Sequence, residues 1–216
     1  MPTSVVHAAV ALVVAVGLLG DHADRRALAV VLAAIVAPEL DALLGFVMAG
    51  AHRTVFHTAV LPAVAAAAVY WDTHRAGSWL RGRWGAYGVR VAWVVLVAHT
   101  FAHIGLDWAH LDGINLLWPL IDRFVTLEGE LYITGEGLVQ TFVDVSIDPE
   151  SGQRAVDAGQ GGTTASVHVS TPVQPSSDPD PGPVDRRFPI AVGGWQLYFV
   201  CTGLFVLLAR RFQSDQ

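Results

Sequence analysis

Two short stretches of the chain place metal-binding side chains next to long apolar runs. His103 and Asp107 lie near the end of one run, and His52 and His57 lie at the start of another. Ionisable groups inside or at the rim of a membrane span cost free energy, so their presence there indicates a function. Imidazole together with carboxylate suits zinc, manganese or iron. These residues therefore predict a metal site at the edge of a membrane.

The spacing of the first pair predicts a shared helix face. His103 and Asp107 are four residues apart, and His99 and His110 extend the same stripe in both directions. One such pair could also form only a hydrogen bond within a helical bundle. A contribution from several spans would favour the metal site over that simpler reading.

The second pair has a different spacing. His52 and His57 are five residues apart, which does not place them on one helical stripe. We therefore expect His52 and Arg53 in a loop and His57 on the first turn of a helix. Arg53 could bind a phosphate or carboxylate group, or it could extend to lipid headgroups.

The composition indicates that the elements carrying these residues are membrane spans. The chain has 216 residues, of which 53% are hydrophobic, and its mean hydropathy is +0.46. This is too apolar for an ordinary soluble domain. The single cysteine excludes a disulfide within the chain and a cysteine-rich zinc site. Five runs are long enough to span a membrane, or nearly so: Thr3–Gly20, Ala27–Met48, Thr54–Trp71, Val89–Ala109 and Gly193–Ala209.

The arginines set the predicted orientation, since the chain has no lysine. Eight of the 13 arginines lie between the first two spans, around the ends of the third and fourth, or after the fifth. These regions fall on one side of a five-span arrangement, and the positive-inside rule makes that side cytoplasmic. We therefore expect a multi-pass protein of the inner (plasma) membrane, with its N-terminus outside and its C-terminus in the cytoplasm.

The segment before the last span changes in character. Residues 127–147 are rich in β-branched and aromatic side chains and predict a short β hairpin. Residues 148–187 are rich in Gly, Ser, Thr, Pro and Asp and predict a flexible linker. The predicted fold is an all-α integral membrane bundle of about five transmembrane helices with a partly disordered extracytoplasmic loop. Its parts are a membrane-embedded helical core at 1–125, the loop at 126–188, and the final helix and cytoplasmic tail at 189–216.

Polar residues from four spans converge on the outer face of this arrangement. His7 lies near the outer end of the first span, and Glu39 and Asp41 lie in the outer third of the second, after a kink predicted at Pro38. An α-helix would separate positions 39 and 41 by about 160°, so we expect one of them to face elsewhere and prefer Asp41 as a ligand. The orientation rests on the arginines alone, so this convergence supports one shared site.

The order of the motifs resembles a known family. It runs from a histidine in the first span through PELD at 38–41 and HRTVFH at 52–57 to HIGLD at 103–107, followed by LLWP at 116–119. Over about residues 1–125 this is similar to the YdjM-type family of membrane-bound metal-dependent hydrolases. Family members usually read Pro-Asp-x-Asp and His-Arg-Gly-x-Thr-His, so a glutamate stands here in place of the first aspartate.

The resemblance implies a ligand set and a reaction class. The family is distantly similar to zinc phospholipase C and related nucleases, in which His and Asp side chains hold zinc that activates water against a phosphodiester. Either Asp41 or Asp107 would act as base or bridging ligand, with Arg53 beside them. The implied metal ligands are His7, Asp41, His57, His103 and Asp107, with His52 and Arg53 nearby. We count His52 among the candidate metal-binding residues as well.

Three functions are compatible with these residues. The first is a membrane-bound hydrolase of a phosphoester or lipid-linked substrate that uses a divalent metal ion to activate water. Zinc is the preferred metal, and manganese and iron are the alternatives. The second is a metal-ion transporter or sensor, which is disfavoured because the inner halves of the spans carry few polar groups. The third is a non-catalytic membrane adaptor. The chain lacks a GxSxG motif, so serine hydrolysis is unsupported. The lipid bilayer is the expected partner, and no feature indicates a nucleic-acid partner.

Overall fold

The structure, a computed structural model, is mostly helical and describes residues 2–48, 50–110, 112–147, 154–157, 159, 161–169 and 189–214. A 3₁₀ turn at Ala37–Leu40 follows the second helix, and a π-helical turn at His99–Ile104 follows the fifth. The α-helices within these residues are α1 (Ser4–Leu19), α2 (Arg25–Val36), α3 (Asp41–Leu44), α4 (Val60–His74), α5 (Trp79–Ala98), α6 (Gly105–Trp108) and α7 (Gly194–Ser214).

Three helical stretches are long and apolar enough to cross a membrane, namely Ser4–His22, Arg25–Leu44 and Trp79–Trp108. They coincide with the first, second and fourth predicted spans. The 15 residues of α4 would measure about 22 Å, which is shorter than a hydrocarbon core of about 30 Å. The 21 residues of α7 end in a segment that includes two arginines, which lower its mean hydropathy. The described residues thus contain three candidate spans, and the five-span arrangement stays a prediction.

The first helix packs against α2, α5 and α7 through small residues. Ala11 of α1, Ala27 of α2 and Ala98 of α5 are fully buried in one apolar core. The last helix approaches α1 at Gly203, where an added Cβ would lie 2.9 Å from the Cα atom of Ala9. Small residues let helix backbones approach closely, and this packing drives helix association in lipid. The core thereby fixes the positions of the helix ends that carry the polar residues.

The helix boundaries differ from the prediction around the HRTVFH motif. The third predicted span begins at residue 54, whereas α4 begins at Val60, because residues 52–57 form turns. Arg53 within these turns has a left-handed φ of 62°. His57 therefore lies in a turn before the helix, and its predicted place on the first helical turn is wrong.

The fourth predicted span is also longer in the structure. Its helix α5 begins at Trp79, ten residues before the predicted start, and the side chain of Ser78 caps it by accepting a hydrogen bond from the Arg81 backbone N–H. Gly85, with φ 64° and ψ −156°, breaks the helical conformation near the beginning. Only a residue without a Cβ adopts this conformation readily, so the glycine produces the kink.

Two antiparallel strand pairs follow the helical core. Strand β1 (Leu131–Thr134) pairs with β2 (Gly137–Gln140), which confirms the hairpin predicted in this region. Strand β3 (Asp144–Ile147) pairs with β4 (Arg154–Asp157), and β4 lies within the segment predicted to be a flexible linker. The described part of that linker is therefore more ordered than its composition predicts, and residues 170–188 lie outside the described residues.

Residues 161–169 of the predicted linker pack against the core. The backbone N–H and hydroxyl of Thr164 donate hydrogen bonds to the two carboxylate oxygens of Asp122 at 3.0 and 2.7 Å. Burial raises the pKa of Asp122, but the bonds from Thr164 and Asn115 outweigh it and hold the pKa below its usual value. Gly50 gives the segment room, because an added Cβ would lie 2.5 Å from the Thr164 carbonyl oxygen. The segment thus lies beside the turns that contain the HRTVFH motif.

Candidate functional site

Seven side chains with predicted functions come together at one end of the helices, and we call them the buried cluster. They come from α1, from the start of α3, from the turns at 52–57, and from the stretch that includes the π-helical turn and α6. Their exposed fractions lie between 0% and 3%. The members of the buried cluster are His7, Asp41, His52, Arg53, His57, His103 and Asp107.

Asp41 holds two histidines of the buried cluster by their Nδ1 atoms. His52 Nδ1 donates to its Oδ1 at 2.8 Å, and His57 Nδ1 donates to its Oδ2 at 2.7 Å. Because Nδ1 carries the proton in both rings, the Nε2 atom of each neutral imidazole presents a lone pair. A carboxylate that accepts from the far nitrogen of a histidine is the usual partner of a metal-binding imidazole.

His7 is held in the same tautomer by a different acceptor. Its Nδ1 donates to the backbone carbonyl of Ala102 at 2.9 Å, so its Nε2 atom also presents a lone pair. The Nε2 atoms of His7 and His57 lie 3.5 and 3.3 Å from Oδ1 and Oδ2 of Asp107. Two lone pairs therefore face the two oxygens of one carboxylate, which is unfavourable unless a proton or a cation lies between them.

His103 completes a group of donors around this gap. Its Nε2 atom lies 2.8 Å from His57 Nε2 and 3.8 Å from Asp107 Oδ2. Its Nδ1 atom is buried and has no hydrogen-bond partner among the described residues. His57, His103 and Asp107 each offer one ligand atom, and these atoms lie within 4.8 Å of one another. Zinc with Zn–N bonds of about 2.0–2.1 Å holds two ligand nitrogens about 3.3 Å apart, so the two imidazoles fit one ion after a shift of about 0.5 Å.

Glu39 borders the buried cluster as well. Glu39, His7 and His103 form a second group whose ligand atoms lie within 4.8 Å of one another. An α-helix would turn Glu39 away, but Ala37–Leu40 is a 3₁₀ turn. A 3₁₀ turn separates positions 39 and 41 by about 120°, so both carboxylates can border one site. The sequence signal for Glu39 is its position in the PELD motif.

The charged groups of the site carry a net negative charge. With neutral imidazoles, the carboxylates of Glu39, Asp41 and Asp107 and the guanidinium of Arg53 leave two units of negative charge. Asp41 and Asp107 are buried, and unbalanced charge in the interior costs free energy. One divalent cation would neutralise the site, and its imidazole and carboxylate donors fit zinc, manganese or iron.

Arg53 is the fully buried cation of the site. Its Nη2 atom donates to Asp107 Oδ1 at 3.3 Å, and its Nη1 atom donates to the Gly113 carbonyl at 3.2 Å. Its Nε atom is buried without a partner among the described residues. A left-handed φ is uncommon for a residue with a side chain and often marks a functional constraint. Arg53 thus fixes one oxygen of Asp107 and keeps one N–H available for another acceptor.

The π-helical turn positions the residues contributed after α5. The backbone N–H of Gly105 donates to the carbonyl of Thr100, a bond that spans five residues and widens the turn. Such single π turns interrupt α-helices frequently at functional sites. Gly105 suits this place, because an added Cβ would lie 3.3 Å from the Thr100 carbonyl oxygen. The widened turn lies between the helical core and Asp107 and includes His103.

The outer members of the predicted stripe take different places. The ring of His99 stacks on that of His103, with centroids 5.8 Å apart, so it lies behind the buried cluster. His110 lies beyond α6, where its Nδ1 atom is 3.3 Å from a carboxylate oxygen of Asp112. Of the stripe, only the two central positions belong to the buried cluster.

A buried asparagine supports the site and was not predicted. The backbone N–H of Asn115 donates to the carbonyl of Arg53 at 2.9 Å, and its side chain donates to Asp122 at 2.6 Å. Asp122 also holds Thr164, so these bonds connect the predicted linker to the turn that carries Arg53. The neighbouring LLWP motif is the sequence signal nearest to this contact.

Comparison with known proteins assigns the chain to a family. A family model described as YdjM inner membrane protein matches residues 1–166. The chain belongs to the YdjM inner membrane protein family. No curated protein and no solved structure matches the chain. The YdjM match includes α1 to α6 and every residue of the buried cluster, and membership together with the apolar helices identifies a membrane protein.

Proposed function

We propose that this YdjM-family protein is a membrane-bound metal-dependent hydrolase that acts on a phosphoester or lipid-linked substrate. One observation carries the proposal. The Nε2 atoms of His7 and His57 face the carboxylate oxygens of Asp107 while the Nδ1 atoms of both rings are already bonded. A proton on His57 Nε2 would satisfy one of these contacts and leave the other, whereas a cation between them would satisfy both.

The ligand roles follow from which atoms face the gap. His57, His103 and Asp107 would hold the cation, and His7 and Glu39, which form a second group with His103, would complete the site beside it. His52 has a buried Nε2 atom without a partner among the described residues, so it can bind a cation or accept a proton. We assign Asp41 an orienting role in place of the ligand role expected from the sequence, because histidines occupy both of its oxygens.

The remaining residues would orient the reactants. A bound divalent cation would lower the pKa of its water to about 7 and polarise a phosphoryl oxygen. Asp107 would accept a hydrogen bond from that water or bridge to it, and Arg53 would hold the carboxylate in place. The free Nε–H of Arg53 would donate to an anionic oxygen of the substrate.

The surroundings of the site favour a substrate that resides in the membrane. Leu40 precedes Asp41 and is 57% exposed, and Phe46 after α3 is 71% exposed. Leu120 is 75% exposed and follows Trp118, whose carbonyl accepts a hydrogen bond from Thr58 beside His57. Exposed apolar side chains of this size suit contact with lipid. We further propose the five-span orientation with the site outside, as the arginines indicate.

An assay of the detergent-purified chain tests the proposal. We expect hydrolysis of at least one member of a panel of phosphodiesters, phosphomonoesters and lipid-linked phosphates. A chelator should abolish it, and zinc or manganese should restore it. Asp107→Asn and His103→Ala should be inactive, whereas Asp24→Asn and His74→Ala, at the other end of the helices, should retain activity. Full activity of Asp107→Asn and His103→Ala would contradict the proposal.

A further inference from the structure

An open groove lies at the other end of the helices from the buried cluster. Its volume is about 440 Å³, and Leu18 near the end of α1 and residues of α5 line it. Leu18 follows His7 by 11 positions on α1, which corresponds to about 16 Å along the helix. The groove is therefore separate from the proposed metal site.

Two arginines border the groove, and backbone carbonyls hold both. Arg90 donates from Nε and Nη2 to the Leu18 carbonyl at 2.9 and 2.7 Å. Arg81 donates from Nε to the Thr73 carbonyl at 3.2 Å. Within the described part of the chain, no carboxylate forms an ion pair with either one. Both side chains are exposed, so each guanidinium keeps N–H groups for an anionic ligand, and its fixed position suits phosphate.

The rest of the groove is apolar. Val89, Trp93 and Val97 line it and are spaced four residues apart, so they form one row along α5. All three are half-buried, which leaves one side of each open to the groove. The groove thus has a cationic end and an apolar row, which matches the phosphate and an acyl chain of a phospholipid.

We propose that this groove binds an anionic phospholipid, with its phosphate at Arg81 and Arg90 and one acyl chain along the apolar row. The lining includes two cations and no anion, so it offers no partner for the ammonium group of a zwitterionic lipid. It also lies at the end of the helices that carries most arginines. Anionic lipids of the cytoplasmic leaflet are attracted to such ends.

Native mass spectrometry of the full chain, with phosphatidylglycerol and phosphatidylcholine at equal concentration, tests the proposal. We expect preferential retention of phosphatidylglycerol and a loss of affinity of about five-fold in Arg81→Gln. Arg83→Gln is the matched control, because Arg83 is exposed on the same helix but does not line the groove. Equal retention of both lipids, or an equal loss in both variants, would overturn the proposal.

A second measurement tests the place of the acyl chain. Phosphatidylglycerol with brominated chains should quench tryptophan fluorescence more than brominated phosphatidylcholine does. Trp93→Phe, which keeps an aromatic ring, should remove this difference. A difference that persists in Trp93→Phe would show that the lipid lies elsewhere and would overturn the proposal. Neither measurement depends on metal binding or hydrolysis.

Discussion

Asp41→Asn distinguishes a residue that orients ligands from a residue that is a ligand. The substitution keeps the shape of the side chain but replaces one acceptor oxygen by an amide group that only donates. His52 Nδ1 and His57 Nδ1 both donate to Asp41, at 2.8 and 2.7 Å, so one of these bonds must be lost. The ring that loses its partner also loses its fixed tautomer and orientation.

The expected magnitude follows from the position of each carboxylate. Loss of an outer partner of a metal-binding histidine lowers metal affinity by about 10- to 100-fold, or about 1.4–2.7 kcal/mol. Asp107→Asn removes the charge that faces the Nε2 atoms and the nearer carboxylate partner of buried Arg53. The other partner of Arg53, the exposed carboxylate of Asp112, lies 3.7 Å from its Nη1 atom. Removing one partner of a buried charge pair costs about 3–5 kcal/mol. Applied to the pair that the Asp107 carboxylate would form with the bound cation, this range corresponds to a roughly 150- to 5,000-fold loss of metal affinity.

Competition with a chromophoric zinc chelator measures both affinities on the detergent-purified protein. Asp24→Asn is the matched control, because Asp24 caps α2 at the other end of the helices by accepting from the Ala27 N–H at 2.7 Å. We expect wild-type affinity in this control, a moderate loss in Asp41→Asn and the largest loss in Asp107→Asn. Equal losses in the last two variants would make Asp41 a ligand, and an unchanged affinity in Asp41→Asn would refute the orienting role.

Three further predictions concern stability and topology. Gly50→Ala should lower the melting temperature, because a left-handed residue with a Cβ costs about 1–2 kcal/mol and the Cβ would lie 2.5 Å from the Thr164 carbonyl oxygen. Gly17→Ala is the control and should leave the melting temperature unchanged, since nothing lies within 4 Å of its added Cβ. Equal melting temperatures of the two variants would contradict this packing. The lowered pKa of Asp122 stabilises the fold fully above its unfolded pKa of about 3.9, and this contribution is lost as the pH falls from there through the lower pKa of the folded state. Protease cleavage within 161–169 should therefore be slow at about pH 5 and increase as the pH falls below about 3.9 in the wild type, whereas it should be fast across this range in Asp122→Asn. A pH-independent wild-type rate would speak against this. A topology reporter fused after Gln216 should be active only in a cytoplasmic form; activity outside would reverse the proposed orientation.

The membrane class and the membership of the buried cluster could be predicted from the sequence. Ionisable residues are rare in apolar runs, so His7, Asp41, His103 and Asp107 stand out without any knowledge of the fold. The arginines then indicated one end of the helices for all of them, and the structure brings them together. The hairpin at 131–140 was also predictable, because its strands are short, β-branched and separated by two turn residues.

The roles of individual residues depend on local departures from regular helices. The 3₁₀ turn at Ala37–Leu40 brings Glu39 to the site, and the left-handed φ of Arg53 keeps residues 52–57 out of α4. Periodic sequence patterns assume regular helices and do not encode such departures. The strand β4 and the contacts of residues 161–169 were missed for a different reason. Strand β4 is ordered by its pairing with β3, and residues 161–169 are ordered in part by hydrogen bonds from Thr164 to Asp122. Composition reports only how little apolar surface these residues can bury.

X-ray absorption at the zinc edge of the purified, zinc-loaded chain tests the central claim most directly. The proposed site predicts nitrogen and oxygen neighbours at about 2.0–2.1 Å, with the outer-shell scattering of imidazole rings. His103→Ala should weaken the imidazole scattering, whereas His74→Ala should leave the spectrum unchanged. A shell of oxygen atoms without imidazole scattering, identical in the wild type and His103→Ala, would contradict a metal centre in the buried cluster.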